Sequence, residues 1–531
     1  MMKTALETGR FRLAGVLVLM AAAACFLWLE FRLRNPYVDN NDTFRYLSNG
    51  FSLLETRHQY FRLEKYTDFS GHIEIHRLAS YPNQLYAIAV AGLSKGFSAL
   101  ERHLVVWPIF IINIFSTVIG FGFLVFLFRR FLPPRDVWLG LAILLLHSLL
   151  MTSLTRPLTD APGWCCAMGL FWLAVSRPAS PWTLGVWLGA SLLMRMQLIV
   201  LLPFLIALRY PHAGFRDGLI RFLKAAAVMA GVVLLFEVGM KLYMRIPPGT
   251  GGDNAFGNAT FYVREQIRFV TNYGSLRAAA ANFGRSLAAL VHPFAIETIG
   301  LFVPFSIFVW AGRGESDPVA RKQVRLLWGA AVAWSLLPLL LYASENNPVP
   351  PARYQIVAIP FYLLTALYGL NQLPRFKGKT VVQGGGKVLL LVLALAGCLE
   401  FARQPDMEKK PYFTDVREIF SDFERLPAIL ASHGMPTNGV YAVKPDMQAF
   451  LPACRMIGLP AQPEFAQGAR NRELDGIITV ARYGKSMNSR DPGIHGWKSR
   501  NGTIVDDKGV RFVRVFYGRG NGGLLIYKRA P

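Results

Sequence analysis

Acidic residues are scarce in this chain. Its 531 residues include 33 Asp and Glu against 57 Lys and Arg, a formal net charge of +24. Cysteine is scarcer still, at five residues. Cys25, Cys165, Cys166 and Cys398 fall in apolar runs, which leaves Cys454 alone in a polar region. A disulfide framework and a CxxC metal site are thereby excluded. No basic module interleaved with aromatics stands out, which argues against nucleic acid as a partner. No internal repeat of the inverted-transporter kind is visible. The triglycine at 384–386 has neither the lysine nor the spacing of a phosphate-binding loop and reads as a flexible loop. His58, His72 and His76 lack a convincing metal-ligand spacing, although His72 and His76, at i and i+4, could share a helix face.

What the chain has in quantity is apolar length. Hydrophobic residues make up 53% of it. The runs at 13–31, 105–128, 182–209 and 222–243 are long enough to cross a bilayer as helices. The first run is not followed by a small-residue cleavage site and a soluble domain, so it reads as a retained span rather than a signal peptide. Expected spans are 13–31, 105–128, 136–152, 160–176, 182–194, 196–209, 222–244, 295–312, 325–343, 353–371 and 387–402. The apolar segment 82–100 reads as an interfacial or re-entrant helix. Counting it and missed crossings, the fold class is a polytopic α-helical membrane protein with about 11–13 transmembrane helices.

Basic residues orient the spans. Six short segments, from the N-terminus with Lys3, Arg10 and Arg12 to the last with Arg375, Lys377, Lys379 and Lys387, hold 19 basic residues against 5 acidic ones. The positive-inside rule puts all six in the cytoplasm. The N-terminus is then cytoplasmic, and loops 32–104, 153–160, 246–294 and 344–352, with the break near 195, lie outside. Residues 1–402 form the transmembrane domain. Residues 403–531 form a soluble extracytoplasmic (periplasmic) α/β domain, with a helix near 414–433 and strands at 438–443, 475–480, 511–517 and 523–528.

Against this background a few polar groups need a reason. Asp42, with Asp39 before it, opens an amphipathic stretch in which Phe44, Leu47, Phe51 and Leu54 recur at helical spacing. Asp42 is either a helix N-cap or a carboxylate placed at the membrane boundary as a general base. Arg156 and Asp160 bracket a proline turn at the outer end of two spans; capping of the next helix is the plain alternative for Asp160. Arg195 interrupts the 182–209 run. A charge there costs about 2.5–3.5 kcal/mol on insertion scales unless it meets a partner or polar cavity. Arg353 and Tyr354 stand at the outer end of span 353–371. Arg353 either snorkels to the interface or joins Arg195 around a phosphate.

These segments, in this order, resemble the glycosyltransferases of the C structural class (GT-C), above all the bacterial lipid A aminoarabinose transferases and protein O-mannosyltransferases. The matching pieces are DTFRY (42–46), with Asp42, Arg45 and Tyr46 in register; YPNQLYAIAVAGL (81–93); RPLTDAP (156–162); and ARYQIVAIP (352–360). Thr43 replaces the family's second acid, and Ser80-Tyr81-Pro82 stands in place of the Lys-Pro-Pro of the lipid A enzymes. The resemblance covers roughly residues 10–400. It implies an inverting transfer of a sugar from a polyprenyl-phosphate donor to a glycolipid, glycan or protein acceptor at the outer face of the cytoplasmic (inner) membrane. It implies Asp42 as catalytic base, Arg353, Arg195, Arg156 and Tyr354 at the phosphate, and Asp39, Asp160, Arg45 and Tyr46 in support. The class includes metal-dependent and metal-independent members, so a divalent ion stays open and no other cofactor is implied. The competing readings are a transporter or flippase of lipid-linked sugars and an O-antigen ligase- or polymerase-like transferase.

Overall fold

The structure is a computed structural model. It describes residues 63–64, 84–96, 107–155, 159–176, 180–243, 281, 317–342, 352–373, 379–403, 422, 425–443, 455–458, 474–480, 498–500, 502–505, 509–518 and 524–531. The expected spans 13–31 and 295–312 and the amphipathic stretch after Asp42 lie outside the described residues.

In chain order the elements begin with β1 (Leu63–Glu64), α1 (Gln84–Gly96), α2 (Trp107–Arg129), α3 (Pro134–Leu146), α4 (Ser148–Thr155), α5 (Asp160–Ser176) and α6 (Pro181–Met194). A 3-10 turn (Met196–Leu201) leads into α7 (Leu202–Arg209), followed by α8 (Phe215–Tyr243) and α9 (Pro318–Tyr342). A second 3-10 turn (Ala352–Val357) precedes α10 (Ile359–Asn371), α11 (Lys379–Arg403) and α12 (Leu426–Ser432). The strands β2 (Val440–Val443), β3 (Arg455–Gly458), β4 (Gly476–Val480), β5 (Lys498–Arg500), β6 (Thr503–Val505), β7 (Arg511–Tyr517) and β8 (Leu524–Arg529) close the chain.

These elements form two compact units. The first holds α3–α7, α9–α11 and nearly all of α2 and α8. Its interior is aliphatic and aromatic, with Trp164, Phe121, Phe128, Phe171 and Phe361 fully buried. Its outer helix faces are also apolar: Phe115 and Phe126 on α2, Trp182 and Trp187 on α6, Leu234 and Leu235 on α8, and Val388 and Val392 on α11 are all exposed. Helices that are apolar all round, with large hydrophobics turned outward, have the surface a bilayer requires. Among the described residues, Ile111–Arg129 and Phe215–Phe236 are long and apolar enough to cross a membrane; Pro181–Met194, Met196–Arg209, Gln355–Asn371 and Thr380–Ala396 are shorter apolar helices.

Irregular backbone changes two of the expected spans and parts two others where expected. Expected span 136–152 becomes α3 and α4. His147 between them has an extended ψ of 102° and its Nδ1 accepts from Leu150 N–H at 3.4 Å, so it serves the start of α4. Run 182–209 breaks at Arg195, as its charge suggests, and continues as a 3-10 turn. Expected span 353–371 starts as the 3-10 turn that carries Arg353 and Tyr354.

One reading is corrected outright. The triglycine 384–386 is not a flexible loop but lies inside α11. Gly384 and Gly385 face open space, and Gly386 meets α10, where an added Cβ would stand 2.8 Å from Leu370 Cδ2. Lys387 follows directly. Its Nζ donates to Asp136 on α3 at 2.8 Å and to Asn371 Oδ1 on α10 at 2.9 Å, while Asn371 Nδ2 donates to Asp136 Oδ2 at 2.6 Å. The three helices are thus fastened by one small polar knot. Segments that charge assigns to one side also meet in pairs, since Lys322 Nζ donates to Pro211 O and Gln323 Nε2 to Leu208 O.

The second unit contains β1, α1 and the described residues of the tail. Its sheet has eight strands in the order β1-β3-β2-β4-β8-β7-β6-β5. The first four run parallel and the rest antiparallel. The expected strands 438–443, 475–480, 511–517 and 523–528 correspond to β2, β4, β7 and β8. The short β3, β5 and β6 carried no clear alternation. Ile477, Ile504, Phe512, Leu525 and Tyr527 form its core with Leu474. The edge strand β1 comes from the first loop, with Leu63 opposite Met456 and Glu64 opposite Ile457.

Replacing Asp136 by Ala is expected to strand Lys387 against two helices. Breaking a buried pair costs about 3–5 kcal/mol. Lys387 is 23% exposed, so the low end applies. Thermal unfolding in detergent should show the loss, and the double variant Asp136→Ala/Lys387→Met should recover part of it.

Candidate active site

Two charged side chains are buried together in the first unit. Asp160 is the first residue of α5, and Arg195 is the residue that ends α6. Both are 3% exposed. Arg195 Nη1 donates to Asp160 Oδ1 at 2.5 Å. A lone charge in such surroundings is prohibitive, and a hydrogen-bonded pair is the form in which it persists.

Local sequence explains how they meet. Ser180 accepts from Thr183 N–H at 3.2 Å and starts α6 with Pro181 in its first turn. At the far end Arg195 leaves the helix with φ −156° and ψ 104°, its N–H still bonded to Ser191 O at 2.8 Å. Extension at that point directs the side chain to α5. Gly163 receives it: a Cβ there would collide with Arg195 Cδ and come within 3.1 Å of Arg195 Cβ. Glycine is therefore needed at 163 for close approach, one turn after Asp160 on the same face.

Asp160 makes no capping bond to its own helix. Oδ1 is used by Arg195, and Oδ2 is buried with no hydrogen-bond partner. The capping alternative weighed from sequence thus gives way to an ion pair. The carboxylate still stands in the first turn of α5, where the helix dipole favours an anion.

The 3-10 turn bearing Arg353 and Tyr354 packs against α4, α5 and α9. Its anchor is Gln355, 1% exposed, whose Nε2 donates to Ser335 O on α9 at 3.3 Å. Ser335 Oγ lies 3.1 Å from Tyr362 Oη on α10. The Arg353 and Tyr354 backbones are therefore on a held turn beside the helix that Asp160 begins. Asp42, Asp39, Arg45, Tyr46 and Arg156 lie outside the described residues. Among the described residues no group of three or more His, Cys, Asp or Glu is arranged to hold a metal ion.

Sequence reasoning singled out both Asp160 and Arg195 but paired Arg195 with Arg353. The missed signal was Gly163: a glycine one turn after a buried acid, facing a helix that ends in arginine. Gln355 was missed because a glutamine beside Arg-Tyr looks like part of a surface turn.

No protein-family model matches the chain, and no curated protein matches it. Solved structures similar to it include the archaeal oligosaccharyltransferase AglB from Archaeoglobus fulgidus in complex with an inhibitory peptide and a dolichol-phosphate, at 11% identity and TM-score 0.48. The Archaeoglobus fulgidus oligosaccharyltransferase in its apo form gives 11% and 0.47, and the form tethered to an acceptor peptide gives 13% and 0.46. Each alignment covers 88% of this chain and 69% of the other. At that identity and TM-score the likeness carries no argument about fold or chemistry, which rest on the chain's own residues.

Arg195→Ala and Asp160→Ala are each expected to destabilise the protein by about 3–5 kcal/mol, the cost of leaving a buried charge alone. The double variant should lose much less than the sum. Gly163→Ala should mimic the loss of the pair by displacing Arg195. Unfolding of the four variants in one detergent checks the cycle.

Proposed function

We propose that this chain is an inverting glycosyltransferase of the GT-C type, built into the cytoplasmic membrane, that moves a sugar from a polyprenyl-phosphate donor to a glycolipid, glycan or protein acceptor at the outer face. Residues 1–402 would carry the catalytic membrane domain and 403–531 the extracytoplasmic domain. The observation that carries the proposal is the Asp160–Arg195 pair. Two charged groups are held inside an apolar helical body, at helix ends that the charge distribution assigns to the outer side.

The chemistry needs an acid–base group, an anion clamp and exclusion of water. The acceptor hydroxyl attacks the anomeric carbon from the face opposite the leaving group. Its proton passes to the Asp42 carboxylate. The anomeric C–O bond breaks through an oxocarbenium-like transition state, and the electron pair leaves on the phosphate oxygen. Negative charge therefore grows on the departing polyprenyl phosphate. Cations already in place there stabilise the transition state more than the ground state. Arg353, with Tyr354 as hydroxyl donor, and Arg195 or Arg156 fill that role. Arg195 is suited to it by being fixed: Asp160 and Gly163 hold its guanidinium and stem, so little ordering is left for the moment of reaction. Asp39, Arg45 and Tyr46 would support the segment around the base.

The test is transfer in vitro from a panel of polyprenyl-phosphate sugars, using the purified full chain in nanodiscs. Asp42→Asn should lower kcat by about 10²–10⁴-fold, the span of general-base contributions. Arg353→Ala should lower it by about 10²–10³-fold, with Arg353→Lys recovering part. Undiminished transfer in Asp42→Asn would remove that residue from the base role. Absence of transfer from every donor would remove the proposal.

A further inference from the structure

On the side that charge assigns to the cytoplasm, three helices bring cations to one turn. The turn, 210–213, joins α7 to α8, and Ala213 N–H closes it on Tyr210 O at 3.0 Å. Arg209 ends α7, and its guanidinium carbon stands 5.8 Å from the centroid of the Tyr210 ring. Arg221, less than two turns into α8, reaches back over the same ring at 4.1 Å. Lys322, one turn into α9, donates from Nζ to Pro211 O. Gln323 beside it donates to Leu208 O at 3.2 Å.

Gathering like charges gains a folded protein nothing by itself, since they repel. Capping of α7 accounts for Gln323 and Lys322, whose side chains meet its last carbonyls. It does not account for Arg221, which turns back to a ring that Arg209 already approaches. Nearby acids are too few to cancel the charge. Residues 209–224 and 317–325 carry seven basic side chains against Asp217 and Asp317. Both acids are exposed, and Asp317 Oδ1 accepts from Val319 N–H at 2.9 Å as α9 begins. A guanidinium set over an aromatic face keeps its N–H groups for an anion, and Lys322 spends one of three donors on Pro211.

Beside the cations, the first turns of α8 hold apolar side chains outward. Phe215 is 89% exposed, and Leu219, Ile220 and Leu223 are exposed as well. Arg216 and Lys224 alternate with them and are also exposed. Cations and large hydrophobics on one outward stretch of helix suit the boundary between headgroups and acyl chains. A free anion uses the cations and leaves Phe215 and Leu223 in water. A phospholipid uses both.

We infer that the 210–213 turn, with Arg209, Arg221 and Lys322 around it, is a binding site for an anionic phospholipid of the cytoplasmic leaflet. The lipid phosphate lies among the three cations, and its acyl chains run along Phe215, Leu219 and Leu223. This goes beyond the transfer reaction and rests only on the membrane placement of these helices. A cation near the headgroups contributes about fivefold in affinity, so three favour an anionic lipid over a zwitterionic one by about 100-fold.

The test is native mass spectrometry of the purified full chain in detergent. The probes are dioleoyl phosphatidylglycerol, dioleoyl phosphatidylcholine and inorganic phosphate. Phosphatidylglycerol should bind about 100-fold more tightly than phosphatidylcholine, and added salt should erode the difference. Arg221→Gln and Lys322→Gln should each weaken it about fivefold, and together about 25-fold. Arg130→Gln/Arg135→Gln removes the same charge from the exposed junction of α2 and α3 and should change binding less than about twofold. A phosphatidylglycerol with a diazirine on its acyl chain, added at equimolar ratio, should label residues 215–223 of the wild type. That readout stands even where a variant fails to fold. Equal affinity for the two lipids overturns the site. A control pair that weakens binding as much as Arg221→Gln/Lys322→Gln also overturns it, leaving only a diffuse field of charge. Inorganic phosphate that displaces the lipid at matching concentration, or labelling that omits 215–223, overturns the lipid as its occupant.

Discussion

A carboxylate and a guanidinium, joined inside an apolar helical body, constrain the first unit more than any other contact. Neither Asp160 nor Arg195 tolerates that position without the other. Their meeting demands that α6 stop at Met194, that the chain extend at Arg195, and that α5 offer Gly163 as an opening. The break in the long apolar run, the glycine and the acid are one feature written in three places. A hydrophobic pair of equal volume would pack there without the break, and often at no loss of stability. Retaining charge at such a place fits a site that handles charge.

How much of this was legible depends on what sets each feature. Length and hydropathy mark α2, α5 and α6 within a residue or two, because burial of apolar area decides them locally. Arg195 announces its own break, since the insertion cost of an arginine is visible in any window. His147 gives no such warning. A histidine amid leucines reads as one more buried residue until its ring is seen serving Leu150. The triglycine misleads for a related reason. Glycine disfavours helix by about 1 kcal/mol, yet contact with Leu370 and the knot at Lys387 outweigh that preference, and neither partner is near in sequence. In the second unit, β7 and β8 are read from their run of β-branched and aromatic residues. The edge strand Leu63–Glu64 is not, because its partner lies about 390 residues away.

The candidate site divides along the same line. Asp160, Arg195 and Arg353 stand out singly because each is polar where neighbours are not. Their mutual arrangement is tertiary, and no spacing encodes it.

Among the described residues of the first unit, two buried carboxylates are used differently. Asp136 engages Lys387 with both oxygens, and Asn371 reinforces the knot from α10. Asp160 has one oxygen engaged and one without a partner. The bonds at Asp136 are those of a fastening: they join three helices and use both oxygens. The Asp160–Arg195 pair joins two helices and leaves one buried oxygen over. Stability alone favours meeting such an atom from within the protein, as at Asp136.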